Sequence, residues 1–115
     1  MIEILRKKIE ESYYWDARVK ALECHHFADE IKLVFEGEKK DTTFYFNKCY
    51  KIEISHEIKY PKDINFKELE ITQIPYFMQD VELKQIIIGE KTLMEFKINL
   101  YPIELLIVCN EFNIY

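Results

Sequence analysis

The sequence predicts an α+β fold that is mainly β: a short N-terminal helix on an antiparallel sheet of about six to eight strands. The sheet is expected to curl into a half-barrel or pair as a sandwich. Three observations point there. Apolar and polar residues alternate over much of the chain, the period-two signature of half-buried strands. Eight Tyr, eight Phe and many Ile suit a pleated surface. Only one stretch has helical spacing. With 115 residues, 49% of them hydrophobic, and two glycines and three prolines, the chain has a folding composition. It is long enough for one core, so residues 1–115 are taken as a single domain.

The helix is expected over residues 2–11. Ile2, Leu5 and Ile9 share a face, and Glu3–Lys7, Arg6–Glu10 and Lys7–Glu11 place opposite charges four apart. Ten residues make a marginal helix alone, so it must pack on the sheet. The first hairpin is expected over residues 15–36: Trp15, Ala17, Val19 and Ala21 on one face, a polar connection at His25–Glu30, then Ile31, Leu33 and Phe35. Residues 37–41 read as a turn.

Phe44, Phe46, Tyr50, Ile52 and Ile54 share one parity over residues 42–54, with Lys48 among them. A charged residue on the apolar side predicts a bulge or break near Asn47-Lys48, giving two short strands. Residues 55–65, with Pro61, read as a loop, and residues 66–75 as a strand ending at Pro75. Val81–Ile88 and Leu93–Leu100 are strands about the turn Gly89-Glu90-Lys91. Ile103–Cys109 is almost wholly apolar, as in a central strand covered on both faces. Asn110-Glu111 is expected to turn the chain into a last short strand, Phe112–Tyr115.

The net charge of −5 argues against nucleic acid as a direct partner, because phosphate binding needs clustered Lys and Arg. The second half is the more acidic: residues 61–115 hold nine acids against five bases. Cys24, Cys49 and Cys109 are odd in number and widely spaced, which suits free thiols in a reducing compartment. The N-terminus has no secretion signal and no apolar run reaches membrane length, so a cytoplasmic location is expected.

Cys24, His25, His26, Cys49, His56 and Cys109 lack any compact zinc spacing, so no metal or cofactor is expected. His25, His26 and Lys32 are near in sequence and could serve a small metal-independent ribonuclease. Such a site must bind a polyanion, and the chain supplies no basic cluster. No phosphate loop or nucleophile elbow is present either, so no catalytic residue is assigned. The stretch from Glu68 to Glu82 is different. It holds Glu68, Glu70, Asp80 and Glu82 with no Lys or Arg, beside Tyr76, Phe77 and Met78. Aromatics and Met are enriched at interface cores, and carboxylates steer a basic partner; the bland alternative is a solvated sheet face with the aromatics in the core.

Two segments resemble a known family. Trp15-Asp16-Ala17-Arg18-Val19, followed by two short strands, is similar to the start of small bacterial immunity proteins of polymorphic toxin systems. Pro75-Tyr-Phe-Met-Gln-Asp-Val-Glu82 and Phe96-Lys-Ile-Asn-Leu-Tyr-Pro-Ile-Glu-Leu-Leu-Ile-Val-Cys109 resemble their C-terminal hairpin region. The resemblance implies a cytoplasmic protein that neutralises a cognate toxin domain, often a nuclease, as in contact-dependent growth inhibition. It carries over no catalytic residue. The expected partner-binding residues are Glu68, Glu70, Tyr76, Asp80 and Glu82, joined by Asp16 and Glu104. A structural adaptor domain, or a small ribonuclease or metal-dependent enzyme, is the alternative.

Overall fold

The computed structural model describes residues 2–58, 63 and 65–115. The helix α1 spans Ile2–Glu11, and six strands follow: β1 Val19–His25, β2 Glu30–Phe35, β3 Thr42–His56, β4 Asp80–Ile88, β5 Lys91–Leu100 and β6 Ile103–Ile114. They form one antiparallel sheet in the order β1-β2-β3-β6-β5-β4. The sheet is not closed into a barrel; β1 and β4 are its two edges.

One face of the sheet is the core. Ile31, Leu33, Phe35, Phe44, Phe46, Leu83, Phe96, Ile98, Leu105, Ile107 and Phe112 are buried on it. Ile9 and Tyr14 join this core from the N-terminal segment, and Ile74, Tyr76 and Met78 from the chain before β4. The rings of Phe46, Phe96 and Phe112 meet with centroids 4.6–5.1 Å apart, within the range of favourable aromatic pairs. Ile9 is buried and Ile2 and Leu5 pack on the core, as the helical spacing requires.

The first hairpin starts later than its alternation implies. Asp16 takes a left-handed backbone at φ 61°. The chain from Asp16 to Val19 pairs with the segment before β4: Asp16 N–H donates to Met78 O at 2.7 Å, Met78 N–H to Ala17 O and Val19 N–H to Tyr76 O, both at 2.8 Å. Ladder pairing with β2 begins only at Val19, and Trp15 stays half exposed. Period two cannot tell which neighbour an extended stretch bonds.

Three further corrections share one cause, the local geometry of unpaired or kinked backbone. β3 is one strand of 15 residues, not two. The bulge is present, with Lys48 at φ 54° and a register shift between Cys49 and Lys51, but β6 pairs on both sides of it. β6 likewise runs unbroken through Asn110-Glu111. The inward-facing set changes parity there, from Leu105, Ile107 and Cys109 to Phe112, so a kink in a continuous strand imitates a turn. Residues 66–75 are not a strand: Phe66–Glu68 and Ile71–Gln73 are short 3-10 turns, closed by local bonds such as Glu68 N–H to Asn65 O and Gln73 N–H to Glu70 O. The expected loop also loses Ser55 and His56 to β3, while residues 59–62 and 64 lie outside the described residues.

Candidate partner-binding surface

Alternation that sends Leu83, Phe96, Ile98, Leu105 and Ile107 into the core sends their neighbours to the other face. Ladder register arranges those neighbours in rows across four strands. One row reads Ser55, Glu104, Asn99, Asp80; the next reads Glu53, Leu106, Lys97, Glu82. Together they line a shallow groove of about 450 Å³. Four carboxylates and one ammonium face it.

These charges are mostly uncommitted. Glu53 pairs with Lys51 at 3.1 Å. Among the described residues, Asp80, Glu82 and Glu104 form no ion pair, and Lys97, though opposite Glu82 in register, forms none either. Between Asp80 and Glu104 lies Asn99, whose Oδ1 is buried without a hydrogen-bond partner. Adjacent strands are about 4.8 Å apart, so Asp80 and Glu104 stand about 10 Å from each other. That is close to one Debye length at 0.1 M salt, so their fields add at the groove. The row is rich in acceptors and poor in donors.

The neighbouring row is balanced by contrast. It reads Lys51, Val108, Glu95, Lys84, with Lys84 Nζ 3.3 Å from Glu95. Val108 is buried within it, although the rest of the outward side of β6, with Glu104 exposed and Leu106 half-buried, is open rather than covered on both faces. Negative charge is thus concentrated at one end of the outer face.

Beside that end lies an aromatic step. Arg6, Glu10, Tyr14 and Trp15 flank Asp80 and Glu82, and Trp15 stacks on Tyr14 with centroids 4.4 Å apart. Two contacts fix this helix end on the sheet edge: Arg6 donates through Nε and Nη2 to Leu83 O at 3.1 and 2.7 Å, and Val81 N–H donates to Tyr14 Oη at 3.2 Å. Trp15 also borders a second groove with Tyr13, Asp16, Arg18, Glu36 and Glu38. Trp15 is common to both clefts, so exposed Tyr13 and Trp15 join the two acidic regions.

The expected site residues divide accordingly. Asp80, Glu82 and Glu104 come together in one groove, and Asp16 lies in a separate one, on the other side of the Tyr14–Trp15 cleft. Tyr76 is in the core at 8% exposure, with its hydroxyl 2.8 Å from His56 Nε2, so its ring is not offered to a partner. Glu68 and Glu70 are exposed on the 3-10 segment. Phe66 packs on Tyr76, which sets that segment on the core side of the sheet, away from the Asp80–Glu104 row. Glu53, Lys97, Asn99 and Trp15 join the surface unforeseen. The signal for two of them was in β5, where Lys97 and Asn99 alternate with Phe96, Ile98 and Leu100.

No group of three or more His, Cys, Asp or Glu among the described residues is placed to hold a metal ion. Cys109 and Cys49 face each other across β3 and β6. Burial pushes the Cys49 thiol up to about 11 and the Cys109 thiol to about 12, so neither suits a nucleophile, which must be a thiolate.

The open β sheet thus carries its core on one face and an acidic, aromatic-edged surface on the other, an arrangement suited to contact with another protein. The chain matches the family model Immunity protein PIM7 over residues 1–115, and belongs to that family of small bacterial immunity proteins. No curated protein matches it in sequence.

Proposed function

We propose that this chain binds a cognate toxin domain in the cytoplasm and neutralises it without catalysis. The contact surface is the acidic groove of Asp80, Glu82 and Glu104 with the aromatic step at Trp15. The observation that carries this reading is a set of three carboxylates on a sheet face that form no ion pair among the described residues, beside an exposed Trp. Such groups complement a basic surface and raise its encounter rate. Trp and Arg contacts are the usual anchors of tight interfaces. A nuclease toxin of a polymorphic toxin system, as in contact-dependent growth inhibition, fits this charge, because a phosphate-binding surface is basic. Occupying that surface with carboxylates would exclude the nucleic acid.

The test is co-purification with the C-terminal domain of a toxin encoded beside this gene, with affinity measured at two salt concentrations. Nanomolar binding, on the order of −12 kcal/mol, that weakens with salt supports the charge-matched inhibitor. Absence of binding to any such domain would sink the reading. Tight binding that is indifferent to salt would keep the inhibitor and remove the acidic groove as its contact.

A further inference from the structure

Cys49 of β3 and Cys109 of β6 stand opposite each other on the two central strands as register partners. Residues paired in this way project to the same face. Here it is the core face, where Cys109 is fully buried and Cys49 packs half-buried against the same cluster. The bulge beside them decides how close they come. Thr43 and Tyr115 exchange both backbone bonds, at 2.8 and 2.9 Å, so odd-numbered residues of β3 at first turn their backbone towards β6. Lys48, left-handed at φ 54°, reverses that sense. Cys49 N–H donates instead to Asp29 O in the β1–β2 connection, at 3.0 Å. Cys49 and Cys109 are therefore a non-hydrogen-bonded pair, the kind whose Cα atoms approach to about 4.5 Å and whose side chains lie closer. A disulfide spans Cα atoms about 4.4–6.8 Å apart, and this pair falls inside that range with both strands as they stand.

We propose that Cys49 and Cys109 form a site of reversible oxidation, closed to a cross-strand disulfide by a small-molecule disulfide such as oxidised glutathione. The step balances through two exchanges. Cys49 loses its proton, and its sulfur attacks one sulfur of the oxidant and releases a thiolate. Cys109, deprotonated in turn, displaces the second thiolate from Cys49, and the cross-strand bond forms. The protein thiols are oxidised, the reagent disulfide is reduced to two thiols, and the protons pass to the released thiolates. Half-buried Cys49 is the point of entry, since Cys109 has no exposed surface. Burial, with Asp29, Cys24 and Glu30 around it, holds the Cys49 thiol up at about 11. Thiolate is therefore scarce at neutral pH and closure is slow, which suits a lasting change of state rather than turnover. The bond ties β3 to β6 across the bulge and constrains the unfolded chain over the residues between them. The inference stands apart from the toxin reading, since it needs neither the acidic groove nor a partner protein.

The test is incubation of the folded chain, and of its Cys24→Ser variant, with oxidised glutathione, read by intact mass and peptide mapping. Cys24→Ser removes the exposed thiol that competes for the reagent. The expected product is lighter by two hydrogen atoms, carries a Cys49–Cys109 cross-link and reverts with dithiothreitol. Closure should speed up roughly tenfold per pH unit between pH 7 and 9, as the thiolate fraction grows. The oxidised chain should melt roughly 5 °C or more higher. Cys49→Ala should abolish both the cross-link and the shift, with circular dichroism showing that it folds. A mixed disulfide at Cys49 that never closes overturns the proposal, as does an unreacted pair or a cross-link that forms only in urea. A Cys24–Cys49 link in the native chain, in place of Cys49–Cys109, overturns the pairing.

Discussion

Asp80 and Glu104 flank Asn99 in one row across β4, β5 and β6, on the face opposite the core. Neither carboxylate forms an ion pair among the described residues, so their charge is available to a partner. Replacing Asp80, Glu82 and Glu104 together with Lys should slow association with a toxin domain by roughly tenfold or more at low salt, with a smaller effect at high salt. The fold should tolerate the change, since exposed substitutions of this kind lie within about 0.5 kcal/mol. Stopped-flow association and urea unfolding read the two effects separately.

Tyr14→Phe removes the acceptor for the Val81 N–H while keeping the ring on Trp15. The donor then loses its partner at the junction of helix and sheet. A loss of roughly 1 kcal/mol is expected in urea unfolding, within the range for an unmade, part-buried hydrogen bond. Binding to a toxin should weaken too if Trp15 depends on that anchor.

Alkaline pH should unfold the chain. Burial raises the pKa of Cys49 to about 11, of Cys109 to about 12, and of Tyr14 above its ordinary 10.0. Each group is more easily ionised in the unfolded chain, so each contributes stability that is complete below its unfolded value. For the thiols, that contribution falls from about pH 9 and is lost as pH rises through the folded values. Denaturant midpoints between pH 8 and 11 should therefore decline, and Cys109→Ala should flatten the decline while lowering stability at neutral pH. A flat profile for the native sequence would contradict it. The same burial predicts that a thiol reagent at pH 7 modifies exposed Cys24 well before Cys49 or Cys109.

The connection of β1 to β2 holds His26, Phe27 and Ala28 at φ 53°, 57° and 67°. A left-handed backbone costs a side-chain-bearing residue roughly 1–2 kcal/mol. Ala28→Gly relieves that strain at one position and should raise stability by up to about 1 kcal/mol, less the entropy glycine adds to the unfolded chain. Phe46→Ala, by contrast, empties a position fully buried between Phe96 and Phe112, and should cost about 3–5 kcal/mol.

The alternation of large apolar residues made the mainly-β fold, the helix at residues 2–11 and the β4–β5 hairpin legible in the sequence. Lys48 on an apolar parity also marked the bulge. What stayed hidden were effects of partner strands. Asp16 to Val19 look like strand paired with β2, yet Asp16, Ala17 and Val19 bond to Tyr76 and Met78, far along the chain. Residues 66–73 carry apolar side chains without regular spacing, and local 3-10 bonds took precedence over extension. For the surface, Asp80 and Glu82 were legible as charge without a local counter-charge, whereas nothing in the spacing of Glu104 marked its place beside them. That Tyr76 faces inward follows from its turn beside Ile74 and Met78, a period of two that the acidic run obscured. Which acids share a face depends on register, and register is not written in any single strand.

The groove is built from alternate residues of strands whose other residues are the core. Asp80 and Glu82 are interleaved with Val81 and Leu83, Lys97 and Asn99 with Phe96 and Ile98, Glu104 with Leu105. The chain thus carries two texts in one line of letters, one read by its own interior and one by the outside world. Substitutions at the exposed positions Asp80, Glu82 and Glu104 rewrite the second while leaving the buried residues of the first in place, so this surface can diversify without refounding the architecture.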